Sequence, residues 1–220
     1  MRLANSPHYG IRTGVHSAER AVILLGLSTV RGLAAAAAST LLTDEVTLGP
    51  DDYWAHAVTV AASTSVAGRA LGLPENESFT VGLLHDIGTA LFHRSDPATY
   101  DDLIANLGDQ PLAEAERATY GLTHEEAGAI ALEAWQFPDP FVRAVRRHHE
   151  PVVATTTLAQ AIMLGEAIAE QIEPMHAPEG SRSLPHLLGE LGLPVSQRTE
   201  LLLQAKRSVS SVTEFFGDVA

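Results

Sequence analysis

An imidazole and a carboxylate stand side by side at His85 and Asp86, inside the otherwise apolar run Gly82-Leu83-Leu84-His85-Asp86-Ile87-Gly88. Burying such a pair alone is costly, so other polar groups must meet it. Candidates recur along the chain. His56 lies mid-helix with Asp52 four residues before it, a spacing that puts both on one helical face. His124 stands at an expected helix start, His148 and His149 pair at an expected helix end, and Glu166 falls on the last main helix. Side chains of these types, delivered inward by several helices, are what a bundle needs to surround one or two divalent ions. The sequence holds ten histidines and no cysteine, so disulfides, zinc-thiolate sites and cysteine nucleophiles are excluded. Arg143, Arg146 and Arg147 make a short basic face beside His148. Arg146 and Arg147 are candidate phosphate contacts, set against the simpler reading of cations favoured by a helix C-terminus. A histidine on an apolar helix is more often a hydrogen-bonded core residue than a ligand, so the set carries the argument and no single member does. His8, His16, His93, His176 and His186 lack that context and read as surface or packing residues.

Helices must position these groups. Apolar residues recur at helical spacing almost throughout, and no stretch shows the alternation of a half-buried strand, so the chain reads as all-α. Ser17 caps a helix closing near Gly26, and Ser28 caps a second through the alanine-rich run to Leu42. Pro50, Asp51 and Asp52 open a long helix that carries His56 and stops around Gly72, and another runs from about Glu75 to His93. Asp96-Pro97 starts a helix through Leu103 and Leu107, and Pro111 opens one ending at Gly121. Thr123 and Glu126 have capping-box spacing, which starts the His124 helix and runs it to Trp135. Pro138 and Pro140 force a tight connection into the helix bearing Arg143 to His149, and Thr155 to Ile172 forms the next. Pro174, Pro178, Glu179 and Gly180 mark a linker over 173–183, followed by a helical extension over 184–220.

Composition bounds the function. At 220 residues, with 45% hydrophobic and 19% charged residues, the chain is long enough for a sizeable core and too apolar for wholesale disorder. Lys plus Arg is 14 against 27 Asp plus Glu, a formal charge of −13, which opposes general nucleic-acid binding. The start lacks a stretch of signal-peptide length, and the longest small-residue run, Leu33 to Ser39, is far too short to span a bilayer, so no membrane association and a cytoplasmic location are expected.

Several motifs in order carry a family resemblance. Asn5-Ser6-Pro7-His8-Tyr9-Gly10, Ser17 to Leu27, Gly82 to Gly88, His124-Glu125-Glu126-Ala127-Gly128, Trp135 to Pro138 and His148-His149-Glu150-Pro151 together resemble the HDOD domain. That family is a bacterial relative of the HD metal-dependent phosphohydrolases, and the likeness covers about Arg2 to Ile172. It implies an HD-domain-like helical bundle over 1–172 with the C-terminal helices as an extension. It further implies that His56, His85, Asp86, His124, His148 and His149 occupy the metal-ligand positions of the wider HD pattern, with Fe, Mn or Mg as the ion. Glu166 falls where those enzymes usually place a closing aspartate, and its extra methylene moves the carboxylate. Thr89 stands where cyclic-dinucleotide phosphodiesterases of the HD-GYP type generally carry lysine, and no Gly-Tyr-Pro segment follows His149. Typical HDOD domains have further helices before the Asn-Ser segment, so either the native start lies upstream of Met1 or the N-terminus is abbreviated. In that case a partner or the tail must cover apolar surface near Ser17 to Leu42. The resemblance therefore implies a signal-transduction module acting through protein or ligand contacts, without catalysis. Its partners would be signalling proteins in trans, a second copy of the chain, or a nucleotide ligand. The alternative is a metal-dependent phosphohydrolase acting on a nucleotide or cyclic dinucleotide. In either case His56, His85, Asp86 and His124 should share one enclosed polar pocket.

Overall fold

The computed structural model describes residues 53–108, 110–173 and 182–217. Ten α-helices and no strand occupy these residues, the all-α architecture that the apolar spacing predicts. In chain order they are α1 (Tyr53–Ala70), α2 (Glu75–Leu84), α3 (Ile87–Ser95), α4 (Pro97–Ala105), α5 (Leu112–Tyr120), α6 (His124–Ala134), α7 (Asp139–Arg146), α8 (Thr157–Ile172), α9 (Leu184–Glu190) and α10 (Arg198–Gly217). The expected helices over Ser17 to Leu42, the opening at Pro50, the pairing of Asp52 with His56, and most of the linker lie outside the described residues.

Helix α1 is the axis of the bundle, and its composition explains why. From Ala57 to Gly68 every residue is buried, and the run is built from Ala, Val, Ser, Thr and Gly. A helix covered on all sides needs no polar face, and small side chains let its neighbours approach closely. α2, α8 and α10 all pack directly on it. Glycines set two of these contacts. A Cβ added to Gly165 of α8 would overlap the Thr64 hydroxyl and lie 2.8 Å from that residue's backbone, and one added to Gly82 of α2 would lie 2.7 Å from the same hydroxyl. Thr64 is thus gripped from two sides. Gly82 lies three residues before His85, and Gly165 immediately precedes Glu166, so the close approaches also fix where those two polar side chains emerge.

Among the described residues, three apolar clusters form the core. Val66 and Ala67 pack with Leu164 and Ile168 of α8, Leu184 and Leu188 of α9 and Leu201 and Ala205 of α10. Tyr53, Ala61, Phe79, Leu83 and Ile87 meet Val209 and Val212 of α10. Val81 and Leu84 pack with Leu132, Phe141, Val145 and Ile162. Two of the three clusters therefore recruit α10, so the C-terminal helices share the core of the bundle.

The helix expected from Glu75 to His93 is in fact two. α2 ends at Leu84, His85 and Asp86 form a turn, and α3 restarts at Ile87. Asp86 sits at φ −103° and ψ 21°, just before α3, where an aspartate usually caps the first turn with its carboxylate. Here that cap hydrogen bond is absent, and the carboxylate is turned elsewhere. Helix α7 also ends earlier than expected, leaving Arg147, His148 and His149 in the turn that follows it. The predicted capping box is present: Glu126 N–H donates to Thr123 Oγ1 at 3.4 Å and Thr123 N–H donates to Glu126 Oε2 at 3.1 Å.

Gly165→Ala should destabilise the protein by about 1–3 kcal/mol, because the new methyl must push into the Thr64 backbone. Gly189→Ala, on α9 where a Cβ meets open space, should instead stabilise by up to about 1 kcal/mol through helix propensity. Urea unfolding of the two variants reads the opposite signs directly.

Candidate metal centre

Asp86 is the hub toward which the sequence candidates converge. Its Oδ2 lies 3.1 Å from His85 Nε2 and 4.0 Å from His56 Nε2, while Oδ1 lies 3.4 Å from His148 Nε2 and 3.7 Å from His124 Nε2. Glu166 Oε1 reaches within 3.7 Å of His85 Nε2 from α8. His149 joins from the open edge, where it is exposed; with Asp86, His124 and His148 it offers ligand atoms all within 4.8 Å of one another. His56, His85 and Asp86 form a second such group that shares Asp86 with the first. His85, His124 and His148 are buried, whereas 28% of the His56 side chain, 21% of Asp86 and 20% of Glu166 remain exposed, so the centre opens to solvent on the side of α1 and α8.

The tautomers follow from the anchors. His85 Nδ1 lies 2.8 Å from the Gly82 carbonyl, and His148 Nδ1 lies 2.7 Å from the Val145 carbonyl. A carbonyl oxygen only accepts, so each Nδ1 carries the proton and donates. His124 Nδ1 lies 2.7 Å from Glu116 Oε2, an acceptor of the same kind. In each neutral ring Nε2 is then a lone pair, and all three face the carboxylate of Asp86. Lone pairs directed at an anion repel unless positive charge stands among them. His85 Nε2, His148 Nε2 and Asp86 Oδ1 are buried without an aligned hydrogen-bond partner. Buried polar atoms in that condition call for a partner, and a divalent cation is one that all of them fit.

Protons are the other source of positive charge, and the electrostatics record it. Burial alone would lower the pKa of His85, but the Asp86 and Glu166 carboxylates overcome it and raise the group from 6.5 to about 9. Burial likewise opposes the charge on His124, and Glu116 and Asp86 raise it to about 9. Asp86 is pulled the other way: burial works against its ionisation, yet His85, His148 and His124 hold it well below the usual carboxylate range. Glu166 behaves differently, because burial outweighs the imidazoles and raises its pKa.

Some residues of the site were not visible in the sequence. Glu116 is fully buried on α5 and accepts from both the backbone N–H and the ring of His124, and from the Tyr100 hydroxyl. Glu125 is buried with one oxygen 3.8 Å from His124 Nδ1. Their helices look like ordinary acidic surface segments, and the only available signal was the closeness of Glu116 to His124 across the Gly121 turn. Arg146 and Arg147 are both exposed; Arg147 donates to the Ala154 carbonyl at 3.2 Å and lies 3.8 Å from Glu150. Among the described residues, the ion pairs of Asp86, Glu116 and Glu166 are all with histidines. Of the remaining histidines, His93 is buried with Nε2 3.2 Å from Asp101, and His186 is exposed 3.6 Å from Glu190. His8, His16 and His176 lie outside the described residues.

Comparison with known proteins places this geometry in context. The family model for the HDOD domain matches residues 1–151. A Shewanella amazonensis protein of known structure, provisionally named a phosphohydrolase, is 26% identical with a TM-score of 0.69, over 96% of this chain and 80% of that one. The MmoQ response regulator from Methylococcus capsulatus is 27% identical with a TM-score of 0.61, over 91% of this chain and 80% of that one. Ribonuclease Y from Lactobacillus gasseri is 25% identical over 114 residues, which is 52% of this chain; the chain spans 16% of the length of that curated relative. Glu166 lies beyond the segment matched by the family model.

In metal-free protein the raised histidines stabilise the fold while they are protonated. Their contribution is fully present below the unfolded value of 6.5 and is lost as pH rises through about 9, because the native state then holds protons that the unfolded state does not. Thermal melts from pH 6 to 9 should therefore show falling stability for the metal-free chain. Saturating Mn²⁺ should flatten the fall, since the cation takes over from the protons. Metal affinity should itself rise across the same window.

Proposed function

The chain belongs to the HDOD domain family, and from that premise we propose that it is a signal-transduction module that uses its histidine-carboxylate centre to bind a divalent cation and does not catalyse. The cation would be Fe, Mn or Mg, held by His56, His85, Asp86, His124, His148 and His149 with Glu166 at the side. Its output would pass to signalling proteins in trans, or to a second copy of the chain. Residues 1–172 form the HDOD-like body in this reading, with 184–220 as an extension that steadies it. The response regulator among its structural relatives supports a regulatory role.

The observation that carries the non-catalytic half is the fate of Thr89. It stands where the phosphodiesterase pattern carries a lysine, and a threonine hydroxyl brings no positive charge to a phosphate. Arg147, a sequence candidate for phosphate contact, is held by Ala154 and Glu150. Stabilisation of developing charge is commonly the largest catalytic contribution, and losing one such cation lowers a rate by about 10²-fold or more. No described helix is long and apolar enough to cross a membrane.

A second reading is favoured by the converging donor set, which is also what a metal-dependent phosphohydrolase acting on a nucleotide or cyclic dinucleotide requires. A bound ion would there lower the pKa of water and polarise a phosphoryl oxygen. The relatives named as phosphohydrolase and ribonuclease support it. The deciding experiment is elemental analysis of protein purified anaerobically, followed by incubation with cyclic di-GMP and Mn²⁺ and chromatography of the products. We expect bound metal in the wild type, none in the His85→Ala, Asp86→Ala variant, and no turnover above that variant. Metal-dependent turnover that the variant abolishes would install the hydrolase reading instead.

A further inference from the structure

Among the groups that the sequence left unassigned, Glu116 has the most demanding environment. It is a fully buried carboxylate on α5, and no lysine or arginine among the described residues pairs with it. Three donors satisfy it instead. The Tyr100 hydroxyl donates to Oε1 at 2.9 Å, and Oε2 accepts both the His124 backbone N–H at 2.8 Å and the His124 ring at 2.7 Å. Two of the three come from one residue. That residue stands at the first position of α6, where the backbone N–H has no partner inside the helix and is free to be claimed.

We propose that Glu116 is a positioning residue of the metal centre, fixing His124 in the tautomer protonated at Nδ1 so that Nε2 is presented as a ligand beside Asp86. This rests on the reading of the centre as a cation site. The double grip matters because a ring bonded through Nδ1 alone can swing about the Cα–Cβ bond. Holding the backbone and the ring to one oxygen removes that freedom. His85 and His148 achieve the same tautomer with carbonyls three residues earlier, in the helices that they follow. His124 cannot do so, because position −3 from a helix start lies in the preceding turn, at Gly121. A carboxylate from α5 takes that place. Tyr100 orients the other oxygen, so a chain runs Tyr100–Glu116–His124 to the centre.

Carboxylates that orient a metal-bound imidazole are typically worth about 10–100-fold in metal affinity. The test is Mn²⁺ titration of the full chain, followed by electron paramagnetic resonance, for wild type, Glu116→Gln and, as a control on an exposed position of the same helix, Glu114→Gln. Glu116→Gln should bind about 10–100-fold more weakly, and Glu114→Gln as the wild type does. Nitrogen-15 NMR of Zn²⁺-loaded protein supplies a readout that a purely structural role would not move. Wild type should show His124 as a single tautomer with its proton on Nδ1, and Glu116→Gln should show that signal displaced or divided. Should Glu116→Gln fail to fold, Tyr100→Phe leaves both His124 contacts in place and should weaken Mn²⁺ binding less than tenfold with the tautomer kept. Wild-type His124 protonated on Nε2, or Glu116→Gln matching wild type in both affinity and tautomer, overturns the role of Glu116 alone. A wild type that binds neither Mn²⁺ nor Zn²⁺ overturns the cation reading and this role with it.

Discussion

A partly buried carboxylate with four imidazole nitrogens within 4.0 Å must be compensated by positive charge, and the organisation of this bundle follows from how that is arranged. Aspartate ahead of a helix ordinarily caps it, a contact worth about 1 kcal/mol. Asp86 gives up that role, and its oxygens serve the centre. The local loss is balanced because the break between α2 and α3 turns His85 and Asp86 inward together. A continuous helix would set adjacent side chains about 100° apart around its axis, and one of the two would face away.

The scaffold fixes the approach of each ligand by backbone contact more than by side-chain bulk. Gly82 and Gly165 both close on Thr64, which brings α2 and α8 against the two sides of α1. Gly88 plays the corresponding part between α3 and α6, where an added Cβ would overlap the His124 carbonyl. These glycines sit within a few residues of His85, Glu166 and Asp86 respectively. Interiors of this density transmit small displacements without absorbing them, so helix spacing and ligand geometry are not independent quantities here.

Much of the fold was legible because its signals are local. The capping box at Thr123 and Glu126, the proline starts at Pro97 and Pro111, and the left-handed Gly121 at φ 81° all act within one turn of the chain. The break at Asp86 was not legible, since apolar residues run at helical spacing through both sides of it and nothing nearby punctuates the pattern. The helix ends there for a tertiary reason: the carboxylate is wanted elsewhere. Glu116 was hidden for a related reason. On α5 it sits between Glu114 and Arg117 and looks like one more charge on an acidic helix. Only the packing of α4, α5 and α6 converts it into a buried acceptor.

The contrast between Asp86 and Glu166 bears on how such a centre would communicate. The imidazoles around Asp86 hold its pKa well below the usual carboxylate range, whereas burial raises that of Glu166. A cation bound among the histidines would favour the ionised form of Glu166, whose Oε1 lies 3.7 Å from His85 Nε2. Glu166 sits mid-way along α8, which packs on α1, α7 and α10 and contributes to two of the three apolar clusters. A ligand that binds only the folded state stabilises it by about 2.7 kcal/mol at a hundredfold excess over its dissociation constant. In the proposed role, energy of that size would act through one helix that shares an apolar cluster with α9 and α10.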